Sequence, residues 1–284
     1  MKIDLHMHSL VSDGTDSPAE LLAKVREAGI GVFSLTDHDA IKGCMTIIGL
    51  LQEGDPVFIP GAEFSCRDEL GKYHILGYGY NVRTGAMPGF IESSHNLRMQ
   101  KLEARLVYME SELGISFPAQ AREELFSLDN PGKPHIANLM VRYGFAQSKE
   151  QAFHEILNHL PVLTSYIRPE QAIEAIIAGG GVPVLAHPSY GDGDQLFMGE
   201  EMEQRIRRLM GFGLRGLEAF YSGFTPQLRD EILGYADRYD LYVTAGSDYH
   251  GKNKMIVLGD TGMEESETRT ARLESFLKDV MHEG

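Results

Sequence analysis

The chain has 284 residues, 43% of them hydrophobic, enough for one large α/β barrel or two domains around a real core. Its formal net charge of −15 excludes a general nucleic-acid or anionic-membrane surface, since these need clustered Lys and Arg, so an anionic substrate must be met locally, most simply by metal ions. Cys44 and Cys66 make no disulfide framework and suit a reducing compartment, and no leader-like segment or apolar run of roughly 18 residues is evident, so a soluble cytoplasmic protein is expected.

The first strand-like stretch, KIDLHMHS, runs straight into an acidic turn. Alternation along an extended chain predicts Asp4, His6 and His8 on one side and Ile3, Leu5 and Met7 on the other. An H-x-H pair at the end of a strand can chelate one metal ion, and Asp13, five residues on, can add an oxygen ligand from the loop. Ser17-Pro18 then opens a helix over Pro18–Glu27 that ends at Gly29. GVFSLT reads as a second buried strand ending in Asp37-His38-Asp39. A helical stretch to Leu51 leads to a third strand, VFIPGAEFS, which carries Glu63. KYHILGYGY alternates His74, Leu76 and Tyr78 against Tyr73, Ile75 and Gly77, and its nearness to the preceding strand predicts a hairpin.

From about Pro88 to Pro161 the sequence is helical and charged, without a β-branched strand. It predicts a helical subdomain, 88–165, inserted between 1–87 and 166–284. The rhythm then resumes with a helix from Arg168, the strand VPVLAHP, a helix from Glu200, the strand RGLEAFY, a helix from Thr225 and the strand LYVTAGSDYHG. A short MIVLG segment and a helix from about Glu267 close the chain. About seven strands alternating with helices, without a Gly-rich dinucleotide loop, predict a distorted (β/α)7 barrel with its site at the strands' C-terminal ends. The polar residues at those ends are His6, His8, His38, Glu63, His74, His187, Glu218, Asp248 and His250, so six of the eleven histidines gather there although helices and loops make up most of the chain. Glu218 reads equally as a site residue or as a partner of Arg215. Asp37 and Asp39 read as groups flanking the ligand His38, and Asp4 as a group orienting a histidine. Arg205, Arg207 and Arg208 read as a solvated helix face. His95, His154, His159 and His282 show no partner pattern.

DLHMHS, TDHD, GAEFS, YHILGY, AHP, GLEAFY and GSDYHG, in this order, resemble the successive motifs of the PHP (polymerase and histidinol phosphatase) family. The resemblance implies a distorted seven-stranded barrel whose mouth holds two or three divalent ions and hydrolyses phosphoesters. It implies His6, His8, Glu63 and Asp248 around one ion, and Asp13, His38 and His250 around a second. Glu63 would bridge to a third ion held also by His74 and His187. Such N and O ligands suit Mn, Fe or Zn. Ions so placed would neutralise phosphate oxygens, lower the pKa of a bridging water and stabilise the leaving oxygen.

The insertion, with KPHIA at 133–137, further resembles the nucleotide phosphoesterase branch, which implies a nucleoside monophosphate, a 3′,5′-bisphosphate or the 5′ end of a short oligonucleotide as substrate. The alternatives are a histidinol-phosphate phosphatase, which the insertion argues against, and a non-catalytic metal-binding regulatory module, which the full ligand set argues against. Pro134 is expected to keep Lys133 extended while His135 opens a helix, so that the two read a second phosphate, with Arg98 and Lys101 as further candidates. Two departures from the family pattern are Asp13, where some members have histidine, and Lys133, where the branch usually has an arginine with its bidentate fork.

Overall fold

The computed structural model describes residues 1–83, 85–161, 164–191, 195–264 and 270–282, with His282 described by its backbone alone. In chain order these form β1 (Lys2–Asp4), α1 (Pro18–Glu27), β2 (Ile30–Phe33), α2 (Lys42–Leu50), β3 (Val57–Phe58), β4 (Gly61–Asp68) and β5 (Gly71–Tyr78). Then come α3 (Met87–Leu113), α4 (Ala119–Phe126), α5 (Lys133–Arg142) and α6 (Lys149–Gln151), the last continuing into a π-helical turn over Ala152–Leu157. The chain closes with α7 (Pro169–Ala178), β6 (Val182–Leu185), α8 (Gly199–Gly211), β7 (Gly216–Tyr221), α9 (Pro226–Tyr239), β8 (Tyr242–Gly246) and α10 (Ala271–His282). The expected start of the final helix, near Glu267, lies outside the described residues.

Local chemistry accounts for the boundaries. Ser17 caps α1 by accepting the Glu20 N–H, and the Glu20 carboxylate takes the Ser17 N–H in return at 2.8 Å. VFIPGAEFS does not form one strand as expected. Pro60 has no N–H to donate, and it breaks the stretch into β3 and β4, which join different sheets. The described residues therefore carry eight strands in two sheets, β1-β2-β3 and β4-β5-β6-β7-β8, in place of one seven-stranded ladder. The first sheet is parallel, β4–β5 is the predicted hairpin, β5–β6 is antiparallel and β6-β7-β8 is parallel. Backbone hydrogen bonds tie the two sheets at both seams. Leu5 N–H donates to the Ala245 carbonyl and His8 N–H to that of Tyr249, each at 2.8 Å, while Asp39 N–H donates to the Glu63 carbonyl at 3.0 Å.

Asp4 stitches the first seam, and this corrects its expected role. Its carboxylate accepts the Ser247 N–H at 2.9 Å, the Ser247 hydroxyl at 2.6 Å and the Gly259 N–H at 2.8 Å, and it touches only the backbone of His6, not an imidazole. MIVLG consequently forms no strand, because its end is held by that carboxylate rather than by a ladder.

Alternate residues of the strands feed two apolar clusters. Ile3, Leu5, Val32, Leu76 and Val184 pack with Leu273 and Phe276 of α10, while Phe33, Phe64, Ile75, Leu185 and Leu217 pack with residues of α1, α2, α7, α8 and α9. A third cluster, with Leu102, Leu106, Ile136, Met140 and Leu157, belongs to the helical stretch between β5 and β6. Among the described residues no helix is long and apolar enough to cross a membrane.

Arg205 is not on a solvated face. Only 3% exposed, its guanidinium lies 3.9 Å from the ring centroids of both Tyr73 and Phe197 and donates to the carbonyls of Leu70, at 2.8 Å, and Lys72. Removing it opens a gap between two rings and takes the donor from two carbonyls. Arg205→Ala is therefore expected to cost about 2–4 kcal/mol in urea unfolding, with Arg205→Lys restoring only part; a loss under about 0.5 kcal/mol would contradict this packing role.

Candidate metal centre

The residues singled out in the sequence come together where the two sheets meet. Past β1 the chain stays extended, Met7 forms a bridge with Tyr249, and His6 and His8 point their Nε2 atoms at one another's neighbourhood, 3.2 Å apart. Gly246 lies against them. A Cβ there would stand 2.2 Å from the His6 Cβ and 2.4 Å from Glu218 Oε1, so only glycine lets β8 approach this closely. His38 follows β2 and bridges Glu63 of β4, His74 lies on β5, His187 follows β6, and Asp248 and His250 follow β8. Asp39, His187 and Asp248 hold positive φ angles of 48°, 29° and 57°, a conformation that non-glycine residues keep only where the surroundings enforce it.

Glu63 is at the centre of the cluster and 1% exposed. Its Oε2 lies 3.3 Å from His6 Nε2, 3.2 Å from His8 Nε2 and 3.1 Å from His38 Nδ1. Its Oε1 lies 2.6 Å from His74 Nδ1 and 3.1 Å from His187 Nε2. Asp248 Oδ1 completes the first set, 3.5 Å from His6 Nε2 and 3.3 Å from His8 Nε2. A further set joins Asp13 to His250 Nε2 at 3.2 Å, to His38 Nε2 at 3.8 Å and to His8 Nδ1 at 3.6 Å.

The arrangement fits a metal site better than a hydrogen-bond network. Glu63 Oε2, Asp13 Oδ1, His38 Nδ1, His74 Nε2 and His187 Nδ1 are buried with no hydrogen-bond partner among the described residues, although several stand near 3 Å from a neighbour. Lone pairs converging on shared points give such contacts without alignment. The donor atoms of His8, Asp13, His38 and His250, of His6, His8 and Asp248, and of His38, Glu63 and His74 each gather within 4.8 Å. Burial drives His38 well below the usual imidazole range and His74 down to about 3 despite Glu63, so both are neutral at pH 7 and keep a lone pair to offer. For His8 burial acts downward too, but its bonds to Asp248 and Glu63 outweigh it and push it up to about 9, which shows how strongly the buried carboxylates attract positive charge.

Surrounding groups fix the tautomers. A carboxylate or carbonyl can only accept, so His6 Nδ1 donates to Glu218 Oε1 at 2.9 Å and His250 Nδ1 donates to the Asp248 carbonyl at 2.8 Å, leaving both Nε2 atoms as lone-pair donors. Ser12 gives its proton to Asp37 Oδ1 at 2.7 Å and so accepts from His8 Nδ1 at 3.3 Å. Asp37 also takes the Ser9 N–H and hydroxyl, each at 2.7 Å, and thereby holds the turn that delivers Asp13. Glu218 pairs with His6 and with the His187 N–H at 2.8 Å, which settles its two sequence readings against Arg215.

Asp248 and the cavity bring in residues that were not assigned from sequence. The second oxygen of Asp248 accepts from Tyr221 at 3.0 Å and from Lys254; burial works against the charge, but Lys254 together with His250, His6 and His8 outweighs it and keeps Asp248 ionised. Lys254 sits four residues past a histidine in a loop, where no periodicity marks it. A cavity of about 710 Å³ opens above Asp13, His38, His74 and His250, and among the described residues eight lysines and arginines line it against Asp13 and Glu150 as acids. The helical stretch supplies one wall.

Lys133, Arg98 and Lys101 line this cavity, as does His154, which had shown no pattern. Arg98 is committed to Asp39 at 2.7 Å and to the Pro131 carbonyl at 3.1 Å. Lys133 is not extended. Gly132 takes the cap position, so Lys133 and Pro134 form the first turn of α5. His135 is absent from the cavity wall, and its Nδ1 accepts the Gly132 N–H at 3.1 Å. Glu218→Gln keeps one acceptor oxygen for the two donors that Glu218 serves, His6 Nδ1–H and the His187 N–H, and removes the negative charge, so divalent-metal affinity by calorimetry is expected to fall about 10–100-fold; unchanged affinity would show that this carboxylate does not tune the His6 site.

The chain is 29% identical over 265 residues to a 5′-3′ exoribonuclease of Haemophilus influenzae, covering 91% of this chain and 93% of that protein. It is 26% identical over 262 residues to a 3′,5′-nucleoside bisphosphate phosphatase of Chromobacterium violaceum, covering 87% of each. A solved structure from Bifidobacterium adolescentis, described as a candidate metal-dependent phosphoesterase, superposes with a TM-score of 0.82 at 25% identity over 98% of this chain and 96% of its own. The PHP domain matches residues 4–281, nearly the whole length, and the chain belongs to the PHP family.

Proposed function

We propose that the protein is a metal-dependent phosphoesterase that removes phosphate from a small nucleotide, either a nucleoside monophosphate or a 3′,5′-bisphosphate, or cleaves at the 5′ end of a short oligonucleotide. The observation that carries this reading is the division of the Glu63 carboxylate, with one oxygen in each of two imidazole sets, at the floor of a cavity walled by lysine and arginine. The activities for which the two relatives are named support the same substrate class.

The ligand sets are His6, His8, Glu63 and Asp248; Asp13, His38 and His250; and Glu63, His74 and His187. They suit two or three ions of the Mn, Fe or Zn kind, since imidazole nitrogen and carboxylate oxygen are borderline ligands. Ions held there would supply the positive charge that a phosphoryl transition state needs and would lower the pKa of the attacking water so that it loses its proton near neutral pH. The remaining tasks fall to side chains. Glu218 orients His6, Tyr221 and Lys254 orient Asp248, and Asp37 holds the turn before Asp13. Residues 1–87 and 166–284 act as one distorted (β/α)7-type barrel across the two sheets, and 88–165 act as a subdomain over its mouth that selects substrate. Two free buried cysteines suit a cytoplasmic setting. So cationic a cavity exceeds what the single phosphate of histidinol phosphate needs, and so full a donor set exceeds what a regulatory module needs.

Lys133, in the first turn of α5, reads the phosphate that is not cleaved, and His135 supports it by holding Gly132. Lys133→Ala should therefore weaken use of a nucleoside 3′,5′-bisphosphate, relative to a small generic phosphoester, by about 1.5–3 kcal/mol in kcat/KM. His135→Ala should act in the same direction with a smaller effect. Equal losses on both substrates would place these residues in the catalytic step or in folding.

A further inference from the structure

The cavity extends well past the metal-ligand cluster, and its far wall is cationic. Along β4, Glu63, Ser65 and Arg67 share a face, and the β4–β5 register sets Ser65 opposite His74 and Arg67 opposite Lys72. Four residues of strand place Arg67 about 13 Å beyond Glu63. Helix α3 contributes Arg98, Lys101 and Arg105 to the same cavity, and the helical rise carries Arg105 about 10 Å past Arg98.

Lys101 marks where this wall is incomplete. It is 6% exposed and makes no hydrogen bond or ion pair with any described residue; its ammonium stands 4.5 Å from the centroid of the Tyr166 ring. Among the described residues Arg105 Nη2 reaches the Tyr166 hydroxyl, at 3.5 Å, and the Arg67 guanidinium lies 5.8 Å from the same ring. An unpaired buried ammonium is costly, and burial pulls Lys101 down to about 8 against the attraction of Asp39. An anion entering the cavity would remove that cost, and the ring beside it offers a face on which a base can stack.

One ribose separates the two phosphates of a nucleoside 3′,5′-bisphosphate, so they lie within about 7 Å of each other. With one phosphate at Glu63, the other stays within that span, whereas the Arg67 backbone stands about 13 Å farther along β4. We infer that Lys101, Arg105 and Arg67 around Tyr166 form a distal subsite for a third phosphate and an adjacent base of a single-stranded oligonucleotide whose terminal phosphate sits at the Glu63 cluster. This rests on the phosphoesterase reading above and deepens it by naming the residues that would hold an oligonucleotide beyond its terminal phosphate.

The test uses the full, metal-loaded protein with a 5′-phosphorylated trinucleotide and a nucleoside 3′,5′-bisphosphate. Arg105→Gln and Tyr166→Ala are each expected to lower kcat/KM for the trinucleotide at least tenfold more than for the bisphosphate, while Tyr166→Phe, which keeps the ring, should retain most of the trinucleotide preference. The chain has no tryptophan, so Tyr166→Trp supplies a single fluorescent reporter, which the trinucleotide should quench and the bisphosphate should not. Equal losses on both substrates, no loss on either, or quenching by both alike would overturn the subsite. Failure of the unsubstituted enzyme to release phosphate from any nucleotide would instead remove the reading on which the subsite rests.

Discussion

The Glu63 carboxylate is the point on which the rest of the molecule turns. Its backbone joins the two sheets through the Asp39 N–H, and its side chain divides five imidazoles between two oxygens. A buried carboxylate in that position must be balanced by positive charge. The architecture around it reads as a consequence. Strands end where they do so that histidines from β5 and from the segments after β1, β2 and β6 reach one carboxylate, while the segment after β8 brings Asp248 and His250 beside them. Three of those segments pass through positive φ to get there.

Charge is organised on two scales. Over the whole chain acids outnumber bases, giving −15, yet the cavity wall holds eight lysines and arginines. Net charge governs what approaches from a distance, and the local field governs what is held inside. An acidic exterior with a cationic pocket disfavours long duplex nucleic acid and favours small anions that can enter the cavity. Asp39 and Arg98 couple the two parts, because their 2.7 Å ion pair ties the helical stretch to the loop that carries His38.

Much of the site was legible because its chemistry is written at strand ends. The nine predicted ligands converge, since alternation and the βα rhythm are local patterns that survive folding. The reading failed where tertiary context decides. Pro60 splits a stretch that reads as one strand, because its missing N–H matters only once neighbouring strands are in place. Asp4 looked like a histidine partner, but the hydrogen-bond donors of Ser247 and Gly259, more than 240 residues away, claim it. Arg205 looked solvated because nothing in its helix reveals that Tyr73 and Phe197 close over it. Lys254, Arg105 and Tyr166 carry no motif, and only the cavity brings them together.

The central claim is that Glu63 bridges two metal-binding sets, and metal content read together with turnover tests it most directly. Elemental analysis of the purified, manganese-loaded protein should give two or three ions per chain. Glu63→Gln, which keeps the shape but removes the charge, should lower that count and nearly abolish phosphate release from a nucleotide. Near-normal turnover with an unchanged metal count would contradict the account.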